Sequence, residues 1–575
     1  MKTGPAPAGF ANSRIGWETM FLAVIVTLTF VPFLAENLFT TKGEPREAVV
    51  AMSMLQQDNW ILPVSFGTDI PYKPPFLAWC IALLGLCNGG VVTEALSRLP
   101  SALAAVVMIV AGFRLVAHRR SIFVASAMAL ITAGTFEVFR SATVCRVDML
   151  LTMFTVTGLY AFYRQWNRHE DGTWRPSLLA AAMMTGAVLT KGPVGMLLPC
   201  AVAFVFRLMR GNRFWQTLVS VGVTGLLSLV LPALWYVAAY RQGGESFLHL
   251  AMEENFGRFT GSMGYSSHEH SVWYNFTSLL SGYAPYTLLL LISLAGAPWK
   301  HAGGRKGAGW RERLRGMDSL ELFSWLAFII IFVFYCIPKS KRSVYLLPIY
   351  PFIGYLVAVY LDRLLRWAPK AVKAYCWVIC VVGALASIAV ACAMWLPEGV
   401  IDLGEKNAPV LEALRRSGRG VMAPVAVALM FVGACLLGER TVRKRARTAV
   451  MWTAVYTLVI YMCVQAAVLP AAMNFKSDLV EARILERRVP AGATLYSYRA
   501  EPMSRFFTVN FYLGDRMRVF DAENPDSGYL LLSQYEEPDF IAGNSGRWDF
   551  RKVLVINKRG GESKCPTVLY RFKRR

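Results

Sequence analysis

TTKGEPREAVVAMSMLQQDNWILPVSFGTDIPYKPPF, residues 41–76, follows shortly after MFLAVIVTLTFVPFLA, residues 20–35, sixteen residues without a charge. A run of that kind is solvated by hydrocarbon, whereas Glu44, Arg46, Glu47 and the Tyr72-Lys73-Pro74-Pro75 turn need water or partners. The chain leaves a membrane, presents clustered charge at once, and becomes apolar again at Phe76. Ionisable groups beside a bilayer are expensive and mark sites more often than ornament.

The rest of the sequence supports the membrane reading. Of 575 residues, 55% are hydrophobic and only 17% charged, too apolar for a soluble multidomain protein. The net charge of +23 gathers at residues 118–120, 164–175, 207–213, 300–315, 363–373 and 440–447, that is, in alternate connections. Such placement follows the positive-inside rule and sets orientation; it is not the continuous patch that nucleic acid requires. Eleven cysteines lie almost all inside apolar runs, with no CxxC pair, and act as small hydrophobes.

With the basic clusters placed in the cytoplasm, spans are expected at 17–35, 94–117, 121–137, 147–165, 177–190, 192–209, 214–239, 274–296, 318–336, 344–366, 372–395, 421–438 and 448–470, about thirteen in all. Residues 75–87 are apolar but short and read as a juxtamembrane helix. The N-terminus is then cytoplasmic and the C-terminus outside, with residues 1–470 forming a transmembrane domain that carries an outer loop at 41–93. Residues 471–575 change character: a helical pattern in SDLVEARILERRV precedes short apolar stretches such as ATLYSY, NFYL, MRVF, GYLLL and KVLVI. These predict a small α/β domain on the outer side.

The same outer face collects further charge. Arg146 and Asp148 stand at the mouth of a span, and Lys191 sits in LTKGPVG between two apolar helices where Gly-Pro breaks the chain. Lys339, Lys341, Arg342 and Tyr345 mark another helix end, on the side where cations should be sparse. An anionic ligand such as a phosphate accounts for them. His268-Glu269-His270 has alternate spacing that a metal could use, but without further ligands it reads as a polar loop.

Seven segments in order, GEPREAVVAMSML, PYKPPFLAW, RSATVCRVDMLL, AVLTKGPVGMLLP, EENFGRF, HEHSVWYNF and SKRSVYLLPIYP, resemble the GT-C membrane glycosyltransferases. The likeness is to the aminoarabinose transferases of lipid A and their relatives in the protein O-mannosyltransferase superfamily, over roughly residues 15–365. The resemblance implies an inner-membrane enzyme with a periplasmic cavity and a polyprenyl-phosphate-linked sugar as donor. It implies an inverting transfer, to lipid A or another envelope glycolipid. In the family's first outer loop an Asp-Glu pair is followed two residues later by Arg and then Tyr. Glu44 and Arg46 match, whereas Gly43 stands at the Asp and Glu47 at the Tyr.

By the same resemblance Lys73 meets the donor phosphate, Asp148 is the second acidic position, Tyr345 a cavity tyrosine, and Arg258 and Lys341 recurrent cations. The departing phosphate needs cations on its oxygens, for which Arg46, Lys73, Lys191, Arg258 and Lys341 are the candidates. Fixed ammonium and guanidinium groups supply that charge, so no cofactor is required, and the use of a divalent metal stays open. Glu44, then Asp148, is the expected general base for a hydroxyl acceptor, and a phosphate acceptor needs none. Glu47, Tyr72, His268, Arg342 and Tyr345 are expected to line the substrate cavity. A protein O-glycosyltransferase is the alternative within the class. A lipid or sugar transporter is the alternative outside it, though it predicts repeated halves that the sequence lacks.

Overall fold

Apolar runs in hydrocarbon must satisfy their backbone internally, and here they do so as helices. The computed structural model describes residues 8–41, 43–168, 175–254, 269–296, 316–401, 404, 407–500, 505–558, 561–562 and 565–575. The first ten helices are α1 (Ala8–Phe30), α2 (Pro45–Gln57), α3 (Phe76–Cys87), α4 (Glu94–Ala117), α5 (Ile122–Ala133), α6 (Phe136–Ala142), α7 (Val147–Arg168), α8 (Leu178–Lys191), α9 (Val194–Met209) and α10 (Phe214–Met252). Later come Trp273–Gly282, Tyr286–Gly296, Ser319–Cys336, Tyr350–Trp367, Pro369–Trp395, Met422–Arg443 and Ala446–Cys463.

Each of the expected apolar runs falls on helix. Among the described residues, seven helices are long and apolar enough to cross a membrane, or nine if each of two sharply bent pairs makes one crossing. The bent pairs are α5 with α6, at 65°, and Trp273–Gly282 with Tyr286–Ala295, at 98°. α3 has 12 residues, so its length of about 18 Å falls short of a hydrocarbon layer. Leu226, Leu231 and Leu234 of α10 are 59–68% exposed, as suits a helix with lipid on one side.

The last hundred residues build a five-stranded sheet ordered β2-β1-β3-β5-β4, from β1 (Leu495–Ser497), β2 (Met517–Val519), β3 (Ser527–Ser533), β4 (Trp548–Ile556) and β5 (Thr567–Arg574). β1 runs parallel to β2 and β3; β5 lies antiparallel between β3 and β4. Alternation along β3 sends Leu531 into a core with Leu485 and Val509, and Leu530 and Leu532 into another with Phe520, Phe540 and Trp548. Both faces are therefore covered. Four of the five predicted strand stretches are strands. NFYL instead ends the helix Phe507–Tyr512, which packs between α2 and the helix Leu479–Arg488 with Val509 in the core beneath the sheet.

This domain is fastened to the loop at residues 32–93. Asn474 accepts from Leu38 N–H (2.9 Å) and donates to Glu36 O (2.8 Å). The Tyr512 hydroxyl accepts from Phe39 N–H (3.0 Å) and donates to Glu94 (2.9 Å). Asp515 takes Ser53 Oγ (2.6 Å) and Phe66 N–H (3.2 Å), and Arg505 makes a two-point pair with Asp69 at 2.9 and 3.2 Å.

Candidate active site

α2 begins with Pro45, whose missing N–H is no loss in the first turn, and places Glu47 in that turn. Glu47 faces the Tyr72–Pro75 turn, where its carboxylate accepts from Lys73 Nζ at 2.5 Å and pairs with Arg46 at 3.4 Å. The Arg46 guanidinium lies over the Tyr72 ring, 4.7 Å from its centre. Burial alone would raise the Glu47 carboxyl, yet Lys73 and Arg46 outweigh it and hold it below the usual range. Lys73 goes the other way: burial, with the Arg46 charge added, brings its ammonium down to about 8 against the pull of Glu47.

A second pair comes from two antiparallel neighbours. α7 and α8 pack side by side, which sets the first turn of one next to the last turn of the other. Asp148 opens α7 and Lys191 closes α8, each at the end where the helix dipole favours its charge. They meet at 2.5 Å, with the Lys191 ammonium 4.2 Å from the centre of the Tyr345 ring. The hairpin that permits this is tight. Gly192 has φ 81°, and a side chain on Gly195 would meet Ala187 at 2.6 Å. Lys73 and Asp148 act on each other electrostatically, so the two pairs form one charged cluster. Beside it opens a cavity of about 680 Å³ whose lining includes Arg46, Glu47, Tyr72, Lys73, Trp235 and His249.

Residues 72–236 match the family model described as dolichyl-phosphate-mannose-protein mannosyltransferase. The undecaprenyl phosphate-α-4-amino-4-deoxy-L-arabinose arabinosyl transferase of Edwardsiella ictaluri is 25% identical over 62% of this chain and 61% of its own. The enzyme numbered 2 of that name from Proteus mirabilis is 27% identical over 66% and 65%. The chain thus spans just under two thirds of the length of these two relatives. The crystal structure of ArnT from Cupriavidus metallidurans bound to undecaprenyl phosphate superposes over 97% of this chain and 98% of that one, with a TM-score of 0.69 at 21% identity. The chain shares the fold of that structure.

On this scaffold the predicted residues divide. Arg46, Glu47, Tyr72 and Lys73 line the cavity, and Asp148, Lys191 and Tyr345 form the adjoining cluster. Glu44 is placed elsewhere. It is 6% exposed, both oxygens are taken by Arg98 at 2.8 and 3.2 Å, and Cys145 N–H adds a third bond at 3.0 Å. Arg98 also donates to the Leu34 and Asn37 carbonyls. A carboxylate so occupied is a tie between the first loop and α4. The carboxylate of this turn that meets the cavity is Glu47.

Lys341 is likewise 4% exposed and donates to the carbonyls of Pro338 (2.6 Å) and His270 (3.1 Å), which fixes the strand-like contact of residues 269–270 with 339–340. His270 stacks on Tyr274, ring centres 4.1 Å apart. Arg342 is half-buried within electrostatic reach of Arg146. Arg258 and His268 lie outside the described residues. Among those described, no three His, Cys, Asp or Glu side chains are grouped to hold a metal.

Four contributors escaped the sequence reading. Arg98 looks like one charge in an apolar run, and Trp235, whose indole N–H donates to Ile61 O at 3.1 Å, like one aromatic in a span. Asp69 and Arg505, 436 residues apart, line the cavity together. No local pattern could have joined them.

Proposed function

We propose that this protein is a polyprenyl-phosphate-dependent glycosyltransferase that moves a sugar to a phosphate-bearing envelope glycolipid at the periplasmic face of the inner membrane. On this reading the chain crosses thirteen times, starts in the cytoplasm and ends outside. The observation that carries it is the convergence of Arg46, Lys73 and Lys191 with two carboxylates beside one cavity, in a fold shared with a chain solved with undecaprenyl phosphate. Lys73 and Arg46 stabilise the oxygens of the departing phosphate as the anomeric carbon gains positive character. Glu47, held ionised, keeps both cations paired until the donor enters. Asp148 is the base where the acceptor is a hydroxyl.

An anionic acceptor is favoured by Arg146. Its guanidinium packs 3.1 Å from where a side chain on Gly43 would begin, and among the described residues it has no ion pair within 4 Å, Asp148 and Glu44 acting on it from further away. The matching family model, named for protein mannosyl transfer, favours a second reading in which a protein hydroxyl accepts the sugar. Purified protein given radiolabelled polyprenyl-phosphate sugars, an envelope-lipid extract and a peptide pool separates the two. Label in the lipid fraction is expected; label in peptide alone overturns the acceptor, and label in neither overturns the transfer.

A further inference from the structure

A second cleft lies at the other end of the bundle. It is bounded by the last turns of α4 and α7 and the start of α8, has a volume of about 550 Å³, and is lined by Arg114, His118, Arg119 and Arg164 together with Val107 and Leu179. Sixteen residues of helix separate Arg164 from Asp148, a rise of about 24 Å, so the cleft is remote from the charged cluster described above.

Two features set it apart from the ordinary excess of basic residues at helix ends. First, its cations have no carboxylate partner among the described residues. Among the described residues no carboxylate lies within ion-pair distance of Arg114, Arg119 or Arg164. Arg119 packs over the Tyr163 ring, 5.5 Å from its centre. Asp318 and Glu321, whose helix adjoins Tyr163 through Ser319, are already held by Arg120 at 3.2 and 2.8 Å, and Glu321 also by Arg363 at 3.0 Å. Secondly, the charge sits at the head of an apolar wall. Val107, two turns before Arg114 on α4, is 51% exposed, and Leu179, in the first turn of α8, is 56% exposed. A group of cations above exposed hydrocarbon-facing side chains matches an anionic head with attached chains. It does not match a free anion, which has nothing to place against the wall, or a zwitterionic lipid, whose own cation repels the arginines.

We infer that this cleft is a binding site for one anionic diacyl phospholipid, its phosphate held by Arg114, Arg119 and Arg164 and an acyl chain laid along Val107 and Leu179. The bound lipid joins the ends of α4 and α7, the two helices whose opposite ends carry Arg98 and Asp148.

The test is native mass spectrometry of the full chain released from detergent, with phosphatidylglycerol, phosphatidylcholine or inorganic phosphate added at equal concentration. Wild type is expected to retain one phosphatidylglycerol at least tenfold better than phosphatidylcholine, with inorganic phosphate failing to displace it. Arg114→Gln/Arg119→Gln/Arg164→Gln should weaken retention by an order of magnitude or more, and Arg164→Glu alone, at an exposed helix end, about fivefold. A control removing as much charge elsewhere, Arg440→Gln/Arg443→Gln/Lys444→Gln, should retain the lipid. Equal binding of phosphatidylcholine, displacement by inorganic phosphate, unchanged retention in both cleft variants, or equal loss in the control overturns the site.

Discussion

Replacing Lys73 tests the donor site most directly, because its ammonium titrates near neutrality. With a value of about 8, charged and neutral forms stand near 10:1 at pH 7 and near 1:10 at pH 9. If only the ammonium form binds a phosphate, the apparent Kd scales with the inverse of the charged fraction and weakens about tenfold over that interval. The ligand adds little to this step, since a phosphate monoester with its second pKa near 6 is already about nine-tenths dianion at pH 7. Lys73→Ala removes a charge-assisted hydrogen bond, about 1.5–3 kcal/mol, so binding at pH 7 should fall roughly 10- to 150-fold and lose its dependence on pH. Lys73→Arg should lose the step while keeping most of the affinity. Loss of fold does not mimic the result. The native Lys73 value lies below the unfolded one near 10.4, so between pH 8 and 10.4 the unfolded chain holds more protons and stability rises with pH. Equilibrium titration with undecaprenyl phosphate from pH 6.5 to 9.5 measures all three proteins. A flat wild-type curve, or the same step in Lys73→Ala, refutes the assignment.

Arg98→Ala strands the buried Glu44 carboxylate and should lower stability by about 3–5 kcal/mol in thermal unfolding, whereas Glu44→Gln/Arg98→Met recovers most of it. Glu44→Gln that melts like wild type yet abolishes transfer would restore Glu44 to the chemistry. Asp148→Asn should slow transfer to a hydroxyl acceptor at least a hundredfold in single-turnover assays with little change in the Kd for undecaprenyl phosphate, and equal losses in both would make Asp148 a binding group only. In the sheet domain burial raises Glu481 to about 7 and Glu562 to about 8. Between pH 4.3 and those values the native state holds more protons, so stability falls as pH rises. Unfolding temperature should therefore be higher at pH 5 than at pH 8, and Glu481→Gln, which keeps an acceptor for Thr567, should remove about 3 kcal/mol of that difference.

The helices, the sheet domain and the charged loop were legible because each is written locally, in runs of twenty apolar residues or in period-two alternation. So was the cluster at Asp148 and Lys191, since two adjacent helices joined by Gly-Pro bring their ends together. What could not be read was the division of labour between Glu44 and Glu47. Three residues apart on one turn, they differ only in that Arg98 waits 54 positions downstream of the first and Lys73 26 downstream of the second. Which partner takes which carboxylate is decided by how α4 packs, and no spacing rule encodes it. The same holds for Lys341, whose position matched a phosphate ligand while its surroundings supply carbonyls.

Arg98, Lys73 and Trp235 hold part of residues 36–69, but the ties at Glu36, Phe39, Phe66 and Asp69 come from residues 474–515. A growing polypeptide can thread its early helices into the bilayer while the ribosome still shelters the partners of Asp69 and Ser53. The floor of the pocket is then fully fastened only once residues 474–515 are made, and a product cut short after residue 470 would lack these ties while keeping those of Arg98, Lys73 and Trp235. Completion of the site, by this wiring, waits for residues 474–515.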